Sequence, residues 1–535
     1  MKDCLETKKP EIHGKDAAAN TVVCVFFFFL TVILPLYFKN GYERIATRKS
    51  MLFRWGGTIC GILLLLIFLW KMCEAVRQKR KLKGSILDLF VFSWAVINLL
   101  SYLLSIDRSE ALYGTTGWYM GFVTQEICVL IFFGVGRFFP VRQITGRILL
   151  GFSCACAAFV FLWGLLNRFS IYPLKMSFAT PEFISSIGNI NWTGGYYAVL
   201  MPVITGVYFL QDEILQKRKL FQLFTDLAMI ITLSFGIVEG SDDVYTSMAL
   251  TFFLYLLLCG EKKERMLRWC EMVISTCLEC QIMRGIAAIW PGSLNYESTF
   301  TRLFLSNVTL IPGILALIGY LWLRFWKKEE RAKLVFRLFS QGLIVLSLAA
   351  LIVYISLLIC NTLWPGSAGI FSDLGALTFN DRWGNARGAT WSDGVKIWET
   401  FDTKGKLVGA GPDCFAAYAY SREDVSILLR SQFGDARLTN AHNEVFTILV
   451  NQGLLGVAAF LGMVAAGIRE GYQGIRSGKD PAAALFLAGM LSAFIYNQFS
   501  FEQIMITPYF YLMLGLISAY TRAGKAELEE IPQSL

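Results

Sequence analysis

The sequence predicts an all-α polytopic membrane protein of about fourteen transmembrane helices with one large extracytoplasmic loop, and three observations carry that prediction. Only 17% of the 535 residues are charged and 55% are hydrophobic, whereas a soluble domain carries about 25% charged residues. The apolar residues gather into blocks of roughly 17–25, the length that crosses a bilayer core as a helix. Basic residues collect in the short segments between those blocks, the pattern that orients membrane spans.

The elements follow in order. A polar segment, residues 1–20, precedes an apolar run at 21–38 that is long for a signal-peptide core and lacks a small-residue cleavage site, so it reads as a retained first span. Further blocks recur near 53–72, 85–105, 119–139, 146–166, 192–210, 221–239 and 243–260, then near 304–325, 337–361, 443–468, 482–499 and 504–521. Lys71, Arg77, Lys79, Arg80, Lys81 and Lys83 mark one loop as cytoplasmic, which places the N-terminus inside. Arg137, Arg142 and Arg147, and then Lys217, Arg218 and Lys219, fall inside as alternation requires, as does the loop starting at Glu261. Lys327, Lys328, Arg331 and Lys333 must also lie inside, so residues 266–289 are needed as a further crossing despite Arg268, Glu271, Glu279 and Arg284. Ionisable groups are tolerated in a span when they face the bundle interior or snorkel from its ends. An interfacial helix at this position would leave twelve or thirteen spans. The resulting organisation is a cytoplasmic segment 1–20, eleven spans over 21–361, a loop or cap over 362–441, three spans over 442–521 and a cytoplasmic tail 522–535.

A net charge of +9 admits nucleic-acid binding in principle. Its location in short inter-span loops assigns it to membrane orientation, and no nucleic acid is expected. The 13 cysteines do not form a disulfide framework, because most lie inside apolar blocks and pack as small hydrophobes. Cys277 and Cys280 form a lone CxxC, too few ligands for zinc. Cys414, in the loop, has no evident partner.

That loop, about 80 residues without a membrane-length block, is where chemistry is expected, since long interruptions of this kind are usually functional. One of only two histidines, His442, sits in Asn440-Ala441-His442-Asn443-Glu444, at the point where the loop enters the next span; the other, His13, lies in the polar N-terminus. A histidine at the mouth of a bundle can accept a proton from a hydroxyl, with Asn443 and Glu444 placed to orient it. An interfacial histidine can equally serve as a helix anchor. Earlier in the loop, Arg382 and Arg387 lie in Asn380-Asp381-Arg382-Trp383-Gly384-Asn385-Ala386-Arg387-Gly388-Ala389-Thr390-Trp391. Arginine is the side chain suited to clamping phosphate oxygens, and the interleaved glycines permit close backbone approach.

The His442-Asn443 entry to a span, the Asn451-Gln452-Gly453-Leu454-Leu455-Gly456 break within it, and Arg387 and Trp391 ahead of Gly409-Ala410-Gly411-Pro412-Asp413 together resemble the O-antigen ligase/polymerase superfamily of membrane glycan transferases. Gly188-Asn189-Ile190-Asn191-Trp192-Thr193-Gly194-Gly195-Tyr196 is similar to a further stretch of that family. The resemblance is strongest over residues 380–470. It implies a bacterial plasma-membrane enzyme that moves a glycan from a polyprenyl-pyrophosphate donor to an acceptor hydroxyl on the exterior face, without metal or cofactor. It also implies roles for individual residues: His442 and Arg387 in catalysis, and Arg382, Trp391, Asn443, Glu444, Asp413, Asn191 and Trp192 around the substrate. The chain departs from the family in one turn, where Glu239-Gly240-Ser241-Asp242-Asp243 replaces a Ser-Arg-Gly sequence. Two carboxylates there repel a pyrophosphate unless cations compensate, and Arg302 or Arg382 are the candidates to do so. Two other function classes fit a polytopic chain: a flippase of lipid-linked glycans and a non-enzymatic envelope scaffold. Flippases tend to show internal repeats and midplane charges. Neither is evident, and the polar motifs cluster at one face.

Overall fold

A computed structural model describes residues 14–79, 84–214, 218–260, 262–296, 298–325, 329–476 and 481–529. His13 and the basic residues Arg80, Lys81, Lys83, Lys217, Lys327 and Lys328 fall outside these ranges, as do Glu261 and most of the two terminal segments.

Each of the apolar blocks, including residues 266–289, is helical. Among the described residues, ten helices are long and apolar enough to cross a membrane, including Ile45–Arg77, Lys263–Ile289 and Leu334–Leu363. The expected fourteen is not reached by this measure. Phe122–Phe138, Ile190–Phe209, Ala482–Tyr496 and Thr507–Glu529 are too short or too polar to qualify. They form the centre of the bundle, with Ile190–Phe209 packed on Ala482–Tyr496 and Thr507–Glu529 on Phe122–Phe138. A helix enclosed by other helices gains nothing from uniform apolarity. Ile190–Phe209 accordingly carries Gly194, Gly195, Tyr196, Tyr197 and Thr205, all buried. The outer helices show the opposite pattern: Leu334–Leu363 has none of its central residues buried, and its leucines, isoleucines and valines face outward.

Several charged side chains within the helices have polar partners. In Lys263–Ile289, Arg268 bonds Asp212 at 3.1 Å and Glu271 at 3.0 Å, while Glu279 accepts from Ser275 and Ser234. The first span passes from α-helix into a π-helical turn at Phe29–Ile33 and ends just beyond Pro35. The Lys49 ammonium, wholly buried, donates to the freed Leu34 and Pro35 carbonyls at 2.8 and 2.9 Å. A buried cation is tolerated where its donors are used in this way.

Between Leu363 and Glu444 the chain folds into short helices, Trp383–Glu399, Thr403–Val408, Phe415–Ser421 and Glu423–Phe433. They close over an apolar cluster of their own that includes Ile397, Phe415, Val425 and Leu429. Backbone hydrogen bonds help to fasten this unit to the bundle. The Asp413 carboxylate accepts from the backbone amides of Thr115 at 2.8 Å and Met120 at 3.0 Å. The amides of Ala410 and Gly411 donate to the carbonyls of Val450 and Asn451. Gly409 (φ +74°) is required there, since a Cβ would overlap the Asn451 carbonyl.

Candidate functional site

At one end of the bundle, where Ile190–Phe209 and Asp242–Cys259 begin, a cavity of about 690 Å³ opens between helix ends and the loop unit. Arg387, His442, Asn191 and the Gly240–Asp243 turn line it, and so do Arg302 and Arg437.

Arg387 is aimed by an unusual stretch of backbone. Gly384, Asn385 and Ala386 are consecutively left-handed (φ 57°, 60° and 66°), after which the helix resumes. For a non-glycine residue this conformation costs roughly 1–2 kcal/mol, so the surroundings must hold it. Gly388 lies so close to the Asn380 carbonyl that any Cβ would overlap it. The turn swings the Arg387 guanidinium onto Asp243, with Nη2 donating to the two carboxylate oxygens at 2.8 and 2.7 Å. Nε donates to the Phe499 carbonyl at 2.7 Å and Nη1 to that of Gly384 at 3.0 Å. All three nitrogens are therefore engaged, and Asp243 is the internal anion they hold. Asp242 and Asp243 occupy the first turn of an 18-residue helix, where the macrodipole favours negative charge.

His442 is also left-handed (φ +48°), with its backbone N–H donating to Asn440 Oδ1 at 2.9 Å. Its carbonyl accepts from the Trp391 indole at 3.3 Å, and its ring meets Phe501 edge-on at 5.3 Å between centroids. Burial, and secondarily the Arg387 guanidinium, lower its pKa from 6.5 to about 4. The imidazole is thus neutral at pH 7 and a weaker base than a free imidazole.

The Glu239–Gly240 turn is buttressed from beneath by Arg168, a wholly buried arginine. Its guanidinium donates to the Glu239 carbonyl, and to that of Pro181 at 2.6 Å, with Tyr296 stacked over it. The Glu239 carboxylate accepts from Ser241 N at 2.7 Å, and burial raises its pKa to about 8.

The remaining residues singled out from the sequence do not line the cavity. Trp391 sits among Phe379, Trp383, Phe446 and Phe499, as a wall behind His442. Asn443 caps the helix Glu444–Asn451, accepting from Phe446 N at 3.1 Å, and Glu444 accepts from Asn497 Nδ2 at 2.8 Å. Both side chains are therefore committed away from the imidazole they were expected to orient. Asp413 is the backbone tie described above, Trp192 packs near Trp118 at 6.5 Å, and Arg382 is an exposed helix-flanking residue. Of the two arginines offered to balance the acidic turn, Arg302 reaches the cavity and Arg382 does not.

Sequence reading missed Arg437, Arg168 and Tyr296. Arg437 lies five positions before His442 in the same loop, a signal that resembles any solvated loop arginine. Among the described residues no group of histidines, cysteines and carboxylates is arranged to hold a metal ion. No protein-family model matches this sequence, and no curated protein is significantly similar to it.

Proposed function

We propose that this chain is a membrane glycan transferase of the O-antigen ligase/polymerase type, which moves a glycan from a polyprenyl-diphosphate donor to an acceptor hydroxyl on the extracytoplasmic face. The observation that supports this reading is the convergence of a neutral histidine and an arginine on one polar cavity of about 690 Å³ at the end of a helical bundle. The reading includes fourteen crossings with both termini in the cytoplasm, so that the cavity opens outward.

The chemistry suits these groups. The acceptor hydroxyl attacks the anomeric carbon, the carbon–oxygen bond to the diphosphate breaks, and the diphosphate leaves with the bonding pair. His442, unprotonated at pH 7, is the group placed to take the hydroxyl proton. Developing negative charge on the leaving diphosphate is met by guanidinium groups fixed before the reaction, which is where electrostatic preorganisation contributes most. Asp243 and Phe499 hold Arg387 in the wall of the cavity that His442 also lines. Trp391 keeps the His442 backbone in its left-handed turn.

The test is the surface polysaccharide of a strain lacking the chain, complemented with wild type or with His442→Ala. A deletion that yields single-repeat products points to a polymerase, and one that accumulates long lipid-linked chains points to a ligase. Full glycan output from an inserted His442→Ala protein refutes the proposal.

A further inference from the structure

We infer that Arg302 and Arg437 form the diphosphate cradle of this site, with Arg387 acting as a positioning residue neutralised by Asp243. The inference deepens the proposed transfer function and rests on it.

Charge bookkeeping around the cavity leads to this assignment. Arg387 places both hydrogen bonds of one guanidinium nitrogen on the Asp243 carboxylate, at 2.8 and 2.7 Å, so the pair presents almost no net charge to a ligand. Its other two nitrogens are spent on backbone carbonyls. A diphosphate approaching Arg387 alone would have to displace a buried carboxylate and leave that charge unpaired, which is strongly unfavourable. Two further guanidinium groups line the same cavity, and neither forms an ion pair among the described residues. Among the described residues, the one acidic side chain left facing them is Asp242.

Each of the two arginines stands on a fixed base. Arg302 belongs to the short helix Thr299–Phe304, whose start is capped by Ser298 Oγ accepting from Thr301 N at 3.1 Å. Tyr245 anchors that helix to Asp242–Cys259 through a 2.8 Å hydroxyl contact with Thr301 and a ring contact with Phe304 at 4.8 Å. The Arg437 guanidinium lies over the Tyr420 ring at 5.4 Å, and the Tyr420 hydroxyl accepts from the next residue's amide, Leu438 N, at 2.9 Å. Both side chains are exposed to solvent, so they can meet an incoming anion without any buried pair being broken. The acidic turn that departs from the related family is thereby compensated twice: Asp243 by Arg387, and the cavity as a whole by two arginines from separate segments.

The experiment is calorimetric titration of the purified full-length chain in detergent with inorganic diphosphate, without divalent metal, beside a glycan-transfer assay. Arg302→Gln and Arg437→Gln should each weaken binding about ten- to a hundredfold, as expected for losing a charge-assisted hydrogen bond. Asp242→Asn should tighten it severalfold, a gain that structural damage would not produce. Absence of saturable binding to wild type, or wild-type affinity in the Arg302→Gln/Arg437→Gln double variant, overturns the cradle. If diphosphate binds with this arginine dependence but no glycan is transferred, the cradle stands and the transferase reading fails. If transfer depends on His442 while the double variant transfers and binds normally, the cradle alone falls.

Discussion

The protonation state of His442 is directly measurable, because the chain contains just two histidines. Replacing His13 by Gln leaves one imidazole in the whole protein, so isotope-labelled histidine in detergent micelles gives a single titrating ring by NMR. Its midpoint should lie near pH 4 rather than 6.5, because the ring is buried and faces the Arg387 guanidinium. Between these two pH values the unfolded chain binds a proton that the folded chain does not. Stability must therefore fall as pH drops from about 6.5 to about 4, by about 3 kcal/mol for a displacement of this size. Burial is the larger cause, so Arg387→Gln should raise the midpoint only part of the way back. A midpoint at 6.5 in the otherwise unaltered protein would show that the ring is solvated, and would remove the neutral base from the proposed mechanism. An unchanged midpoint in Arg387→Gln would show that the guanidinium does not act on the ring.

Three other perturbations follow from the same geometry. Arg387→Ala leaves Asp243 buried and unpaired and should cost about 3–5 kcal/mol in detergent unfolding. Asp243→Asn in the same background should recover much of that loss, and strictly additive effects in the double-mutant cycle would disprove the coupling. Gly388→Ala forces a Cβ into the Asn380 carbonyl and should abolish activity or folding, whereas Gly285→Ala, where a Cβ meets nothing, should be tolerated; equal melting temperatures for the two would refute the packing argument. Glu502, buried in the loop after Ala482–Tyr496 with its pKa raised to about 8, accepts from Gln125. The folded chain keeps this proton where the unfolded chain loses it, so stability should decline as pH rises from about 4.5 toward 8. Glu502→Gln should then be more stable than wild type at pH 9, with the advantage vanishing near pH 4.5 in pH-dependent melting.

The helical stretches were legible because bilayer-crossing segments announce themselves through length and apolarity, and Leu334–Leu363 does so without ambiguity. Legibility weakened toward the centre of the bundle. Ile190–Phe209 touches protein on nearly every side, so its glycines, tyrosines and threonine answer to neighbouring helices rather than to lipid. Lys263–Ile289 is inferred from alternation of charged loops, and its ionisable side chains turn out to be paired with partners as far as 63 positions away in sequence. Pairings at that distance leave no local trace.

The site divides in the same way. His442, Arg387, Asn191 and the Asp242-Asp243 turn were readable as polar groups at helix ends, since such groups stand out against apolar blocks. Asn443, Glu444 and Asp413 carried the same signal but serve as a cap, a side-chain bond to Asn497 and a backbone tie. Composition cannot distinguish a carboxylate that meets a ligand from one that meets a backbone amide. By itself, then, the sequence determined that the chain is a helical membrane protein whose polar residues gather at the ends of its apolar blocks, because transfer free energy acts on each segment separately. Only the tertiary structure decided that Arg387 is held by Asp243 while Arg302 and Arg437 share its cavity, because ion pairing depends on distances between segments that the chain brings together only when folded.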